Sequence, residues 1–223
     1  MFKLVIFIGP IGSGKGTQAE VVAKKFGLAH IETSKLLEEK FRTAGSSDKK
    51  MAEQKALWHM GILNDPSWVT EVLLGEVKKI AGEGKGMVLS ASPRTLFEAE
   101  KGIPVFEEIY GKENIFVFHI TLSEAESIKR NSGRRICEKN RHPIPNFPEF
   151  KDLTACPEDN SRLISRALDN PETIKIRFQE YINRTEPILN YLSGRGYNIL
   201  KINGEQPIEK VASDILENFH DSN

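Results

Sequence analysis

The run Leu4-Val5-Ile6-Phe7-Ile8, followed at once by Gly9-Pro10-Ile11-Gly12-Ser13-Gly14-Lys15-Gly16-Thr17, leaves this chain few folds to choose from. A short apolar run rich in β-branched residues reads as a buried strand, and the glycines after it read as a turn that opens a helix. Ala19, Val22, Ala23 and Phe26 then recur at helical spacing, and Gly27 ends the pattern. Glycines let backbone N–H groups close around a phosphate chain without obstruction by Cβ, and the helix start adds the positive end of its dipole. Gly12, Ser13, Gly14, Lys15, Gly16 and Thr17 make up that turn. Lys15 would reach the outer phosphates and the Thr17 hydroxyl would sit near a magnesium ion. The pattern points to a nucleoside triphosphate as ligand.

A chain of 223 residues buries one good core and leaves room for small inserted lobes. Lys and Arg total 31, as do Asp and Glu, so composition offers no broad cationic face to nucleic acid or to an anionic membrane. No apolar run approaches the ~20 residues of a membrane span. The first apolar run reads as a strand feeding the glycine turn rather than as a signal peptide. Two cysteines suit a reducing, cytoplasmic setting and argue against a disulfide scaffold.

Strand-like runs recur at 4–8, 29–31, 87–90, 115–120 and 198–202, with helical patterns between them. That alternation predicts an α/β fold around a mostly parallel sheet, with ligands beyond the carboxyl ends of the strands. Two stretches break the rhythm. Residues 33–63 are helix-like and polar, and residues 133–170 are rich in Pro, Arg and Asn without helical periodicity. A structureless loop of that length is rare in a compact domain, so each stretch reads as a small mobile lobe over the site.

Arginines gather near these breaks. Ser123-Glu124-Ala125-Glu126 is a capping box, and a helix starting there places Arg130 and Arg134 on one face with Arg135 beside them. Arg94 follows the strand at 87–90. Asn170-Pro171-Glu172 opens another helix, with Arg166 just before it and Arg177 two turns inside, off the apolar stripe of Ile174, Phe178 and Tyr181. Arginine is permanently charged and grips phosphate with two parallel hydrogen bonds. Phosphoryl transfer between nucleotides asks a protein for that kind of positioning, for charge neutralisation and for exclusion of water, and for little covalent chemistry.

Gly9–Gln18 (GPIGSGKGTQ), HIET at 30–33, SPRT at 92–95, GRR at 133–135 and SRALDNPETIKIRF at 165–178 together resemble the adenylate kinases of the long-lid type and their nucleoside monophosphate kinase relatives. The resemblance covers nearly the whole chain. It implies a single three-layer P-loop kinase domain over 1–223, with a five-stranded parallel sheet flanked by helices. It also implies an inserted monophosphate-binding lobe at 33–63, an inserted lid at 133–170 and a monomeric state. It implies transfer from ATP, with magnesium, to AMP to give two ADP. Lys15, Arg94, Arg134, Arg166 and Arg177 become the catalytic set, Arg130 and Arg134 hold the triphosphate nucleotide, and Thr33, Arg94, Arg166 and Arg177 hold the monophosphate.

The acceptor side departs from the family pattern. Lys35 and Ser90 stand where the family carries aspartates that order the magnesium waters, Glu38 where an arginine grips the acceptor phosphate, and Glu98 where a glutamine reads adenine. Arg42, one turn beyond Glu38, is a replacement cation for the acceptor phosphate; the alternative is an ordinary surface pair of Lys35 with Glu38. These departures keep two other readings open, a kinase for another monophosphate and a nucleotide-binding module with weak or no transfer activity. Cys137 and Cys156 flank the second irregular stretch. By resemblance to zinc-bearing relatives Cys137, Cys156 and Asp159 fall at ligand positions, Asn140 takes the second, and His142 completes a structural zinc site if the turn is slightly longer. The alternative is a lid held by hydrogen bonds and packing, with the cysteines as small apolar side chains.

Overall fold

In the computed structural model, which describes residues 3–45, 48–140, 142–146, 148–165 and 169–219, the strand β1 (Leu4–Ile8) runs through the centre of a parallel sheet. Its neighbours are β3 (Met87–Leu89) on one side and β4 (Ile115–Thr121) on the other. The outer strands are β2 (Ala29–Ile31) and β8 (Ile199–Asn203), giving the order β2-β3-β1-β4-β8. Leu4 pairs with Met87 and with Ile115, which sets the register of the three central strands.

The five residues of β1 are buried on both faces, as expected of a parallel strand covered by helices on either side. Leu4, Ile6 and Ile8 pack into a core shared with α4 (Pro66–Gly82), α5 (Leu96–Tyr110) and α8 (Pro187–Gly194). Val5 and Phe7 pack into the opposite core, against α1 (Lys15–Phe26) and α9 (Ile208–Glu217). Two helical layers therefore enclose the sheet, an α/β arrangement around a parallel sheet as expected from the strand and helix rhythm. The chain leaves β1 for β2 on one side of the sheet and, after β3, crosses to β4 on the other, so β1 ends at the switch point where ligands bind in such folds.

A third, smaller core lies in the first irregular stretch. The helix α2 (Thr33–Thr43) brings Leu37 and Phe41 against Trp68 and Val69 of α4, and α3 (Lys49–Met60) adds Met51 and Trp58. Asp48 and Asp65 cap α3 and α4, accepting from the N–H groups of Met51 and Trp68 at 3.0 and 2.9 Å.

The second irregular stretch holds structure that its composition did not reveal. The strands β5 (Arg135–Cys137), β6 (Pro143–Ile144) and β7 (Leu163–Ser165) form an antiparallel sheet in the order β6-β5-β7. These strands are two or three residues long, too short for an alternating pattern to register. The helix α6 (Glu124–Ser132) is capped by Ser123 as the capping box predicts, but it ends at Gly133. Arg134 thus lies past the helix, and it is the strand entry after Gly133, not a shared helical face, that aims it. Arg135 turns away and donates to the carbonyls of Phe150 and Leu153 at 2.6 and 2.7 Å.

The helix α7 (Pro171–Glu180) is capped by Asn170 at 2.9 Å and passes through a π-helical turn, Tyr181–Thr185, into α8. Among the described residues no helix is long and apolar enough to cross a membrane.

Candidate active site

The turn after β1 is shaped by two left-handed residues, Gly12 at φ 80° and Gly14 at φ 94°, a conformation costly for any residue bearing a Cβ. Gly14 is the N-cap of α1, so the first N–H groups of this helix point out of the loop without partners inside the helix. A Cβ placed on Gly14 or Gly16 would meet nothing within 4 Å, which leaves that space in front of the helix open. Ser127 of α6 braces the loop by donating to the Ile11 carbonyl at 2.7 Å. Open space, free amides and the helix dipole make this an anion site.

Lys15 is half-buried at the mouth of the loop. Its Nζ donates to the carbonyls of Gly9 and Pro10 at 2.7 Å each and lies 3.3 Å from the Ser13 hydroxyl. Burial, and then the nearby guanidiniums of Arg94, Arg177 and Arg134, lower its pKa to about 7. A cation held this way gains a large interaction when phosphate arrives.

Two clefts open at the carboxyl edge of the sheet, and they meet on Lys15, Arg94 and Arg177, which line both. One cleft runs over the glycine loop and is bordered by Gly12 through Thr17, by Arg130 and Arg134, and by Gly204 and Gln206. The other runs under α2 and α3 and is bordered by Thr33, Leu37, Trp58, Leu63, Val69 and Glu98. The shared seam is cationic.

Each arginine is held by specific partners. Arg94 follows β3; its Nε donates to the Ala91 carbonyl at 2.7 Å, its N–H donates to Glu98 Oε2 at 2.9 Å, and its carbonyl accepts from the Thr185 hydroxyl at 2.7 Å. Arg134 makes a two-pronged contact with Asp169, at 2.9 and 2.8 Å, and Arg177 approaches the same carboxylate at 3.8 Å. Asp169 therefore holds two arginines from different segments in one place. Arg130 donates to Glu126 and to the Gly204 carbonyl at 2.9 Å each, so its guanidinium is fixed beside the loop. Arg166 lies outside the described residues.

On the opposite side, Thr33 is buried and its hydroxyl hydrogen-bonds the Ser92 hydroxyl at 2.7 Å. Arg42 points elsewhere: its side chain is 74% exposed and pairs with Glu39 at 2.6 Å, away from the residues that line either cleft. The expected pair of Lys35 with Glu38 is replaced by a pair of Lys35 with Glu32 at 3.4 Å. Lys35 lies in the first turn of α2, and Glu32, the N-cap residue just before that helix, is also three residues away, on the N-terminal side. Ser90 Oγ and His30 Nε2 share a hydrogen bond at 2.8 Å.

Cys137, His142, Cys156 and Asp159 come together at the end of the small sheet, with one ligand atom from each lying within 4.8 Å of the others. His142 Nδ1 is 3.3 Å from Cys156 Sγ and 3.6 Å from Asp159. The backbone N–H groups of Asn140 and His142 donate to Cys137 Sγ at 3.3 and 3.2 Å, as they would to a thiolate. Asn140 stays outside the cluster and donates its amide to Asp159 at 2.7 Å. Two sulfurs, an imidazole nitrogen and a carboxylate oxygen in this proximity fit a four-coordinate zinc.

Sequence reasoning marked Glu98 only as a departure from the family pattern and gave Asp169 and Thr185 no role in the site. Glu98 signals itself as the end of a T-x-x-E capping box, with Thr95 accepting from its N–H at 3.2 Å. Asp169 and Thr185 carry no local signal, because their partners lie 35 and 91 residues away.

The profile of a protein family described as adenylate kinase matches residues 7–197. Over 96% of its length this chain is 34% identical to an adenylate kinase of Staphylococcus epidermidis and 32% identical to one of Bacillus subtilis, covering 97% and 96% of those proteins. It is 31% identical to an adenylate kinase of Kosmotoga olearia, over 98% of that protein.

Proposed function

The chain belongs to the adenylate kinase family and is a phosphotransferase acting on nucleoside monophosphates, and from that premise we propose how its two clefts divide the work. Magnesium-bound ATP lies in the cleft over the glycine loop, and the acceptor, AMP in the family reaction, lies in the cleft under α2 and α3. The observation that carries this reading is the seam: Lys15, Arg94 and Arg177 line both clefts, so two phosphate groups entering from opposite sides meet on the same cations.

In this reading the amides of Gly12 through Thr17 hold the triphosphate and the Thr17 hydroxyl faces its magnesium ion. Glu20 and Glu32 line the same cleft as Ser90. Lys15 neutralises charge on the transferring group, Arg94 approaches from the acceptor side, and Arg134 and Arg177 arrive together through Asp169. Arg130 lies along the base of the triphosphate nucleotide, and Thr33 contacts the monophosphate. Transfer needs no general base; it needs the acceptor phosphate oxygen aligned and water kept out. The 33–63 stretch, with its separate small core, acts as the monophosphate-binding lobe, and the 133–170 stretch as the lid. Cys137, His142, Cys156 and Asp159 would hold a zinc ion that ties the lid together, with no open position for chemistry.

The test is Arg94→Ala. Turnover is expected to fall by at least about a hundredfold, ~2.7 kcal/mol of transition-state stabilisation, with the melting temperature little changed. Activity kept within about tenfold would remove Arg94 and the seam from the mechanism.

A further inference from the structure

The far end of the acceptor cleft is an apolar chamber with one under-used polar group in it. Leu37, Trp58, Ile62, Leu63 and Val69 line this cleft and not the other, and they offer apolar walls to a planar base. Glu98 lines the chamber with them and is only 4% exposed. Most other polar side chains unique to this cleft are engaged: Thr33 with Ser92, Asn64 with Gln54, Glu180 with the Leu63 N–H, and Thr185 with the Arg94 carbonyl.

Glu98 is different. Oε1 accepts one hydrogen bond, from the Thr95 hydroxyl at 3.1 Å, and Oε2 accepts one, from the Arg94 N–H at 2.9 Å. A carboxylate has about four acceptor sites, so each oxygen keeps one. No ion pair neutralises it among the described residues, and burial pushes its carboxyl above the ordinary carboxylate range; Arg184, which also acts on it, pairs with Glu180 at 3.2 Å. A buried carboxylate with two vacant acceptor sites is best matched by two adjacent donors.

The four common bases differ sharply on that criterion. Adenine and cytosine each offer one amino group beside a ring nitrogen whose lone pair would face the second oxygen. Uracil offers a single N–H between two carbonyls. Guanine alone offers a ring N–H next to an amino group, two donors on one edge. Resting on the kinase reading above, we propose that Glu98 makes guanosine monophosphate an acceptor for this site, by taking the N–H and amino group of guanine on its two carboxylate oxygens. An amide at this position presents one donor and one acceptor and suits adenine instead, so the choice between carboxylate and amide sets which purine is read.

The experiment is a coupled assay with magnesium-bound ATP and either GMP or AMP, run on the wild-type chain and on Glu98→Gln. The wild type is expected to turn over GMP with kcat/KM within about tenfold of AMP or better, and Glu98→Gln to shift the GMP-to-AMP ratio toward AMP by at least about tenfold. Continued turnover of AMP by the variant reports an intact fold. If the wild type turns over AMP but not GMP, or if the ratio is unmoved in Glu98→Gln, the proposal fails while the kinase reading stands. If no monophosphate accepts phosphate, the kinase reading itself fails and this inference goes with it.

Discussion

Lys15 offers the sharpest quantitative consequence of the site. With its pKa lowered to about 7 by burial and three guanidiniums, roughly nine in ten molecules carry a neutral Lys15 amine at pH 8. A bound triphosphate supplies the opposite charge that this ammonium lacks, so binding returns the pKa toward its ordinary value and the site takes up a proton. Uptake is expected to be about 0.9 proton per ATP at pH 8 and about 0.1 at pH 6. The same linkage weakens ATP binding by up to about tenfold, ~1.4 kcal/mol, for each pH unit above 7. In the nucleotide-free chain the sign is opposite. The unfolded state binds more protons than the folded one between the lowered and the ordinary lysine pKa, so Lys15 costs stability below about pH 7 and that cost is relieved as pH rises. Titration calorimetry with ATP at pH 8, in two buffers of different ionisation enthalpy, counts the protons directly. Lys15→Arg keeps a cation that does not titrate, and its uptake should vanish. Absence of uptake in the wild type, or equal uptake in Lys15→Arg, would refute the reasoning.

Two further outcomes follow from the geometry. Protein produced with zinc present should carry about one zinc per chain by elemental analysis, and Cys137→Ser should lose it and melt earlier; a zinc-free wild type, or a variant that keeps its metal, removes the metal reading. Phe118 is fully buried and stacks on Phe7 with ring centroids 5.4 Å apart. Phe118→Ala should cost about 3–5 kcal/mol, lowering the melting temperature by about 6–20 °C in a calorimetric scan, and a shift below that range would mean the core closes around the gap.

Much of the central domain can be read from residue types alone. A parallel strand buried on both faces has to be apolar throughout, which is why Leu4–Ile8 announces itself, and why the two-faced packing of β1 follows from its sequence. The loop after it is equally plain, because Gly12 and Gly14 adopt backbone angles that few other residues tolerate. The caps at Ser123 and Asn170 are local hydrogen bonds and were legible for that reason. What stays hidden is non-local. Nothing near Arg134 in sequence says that Asp169 will hold it together with Arg177, and the helical spacing of Arg130 and Arg134 gave a shared face that Gly133 interrupts. The strands of the small sheet are too short for a period to show. Arg42 illustrates the opposite error: one helical turn from Glu38 it is well spaced to face the cleft, but Glu39 draws it to the surface.

The account stands most directly on whether phosphate passes between two bound nucleotides. With magnesium-bound ATP and AMP, the purified chain is expected to form two ADP for each ATP consumed, and to form no inorganic phosphate beyond background when the acceptor is left out. Tight ATP binding with no transfer to AMP, GMP, CMP or UMP, or steady release of phosphate without an acceptor, would contradict it.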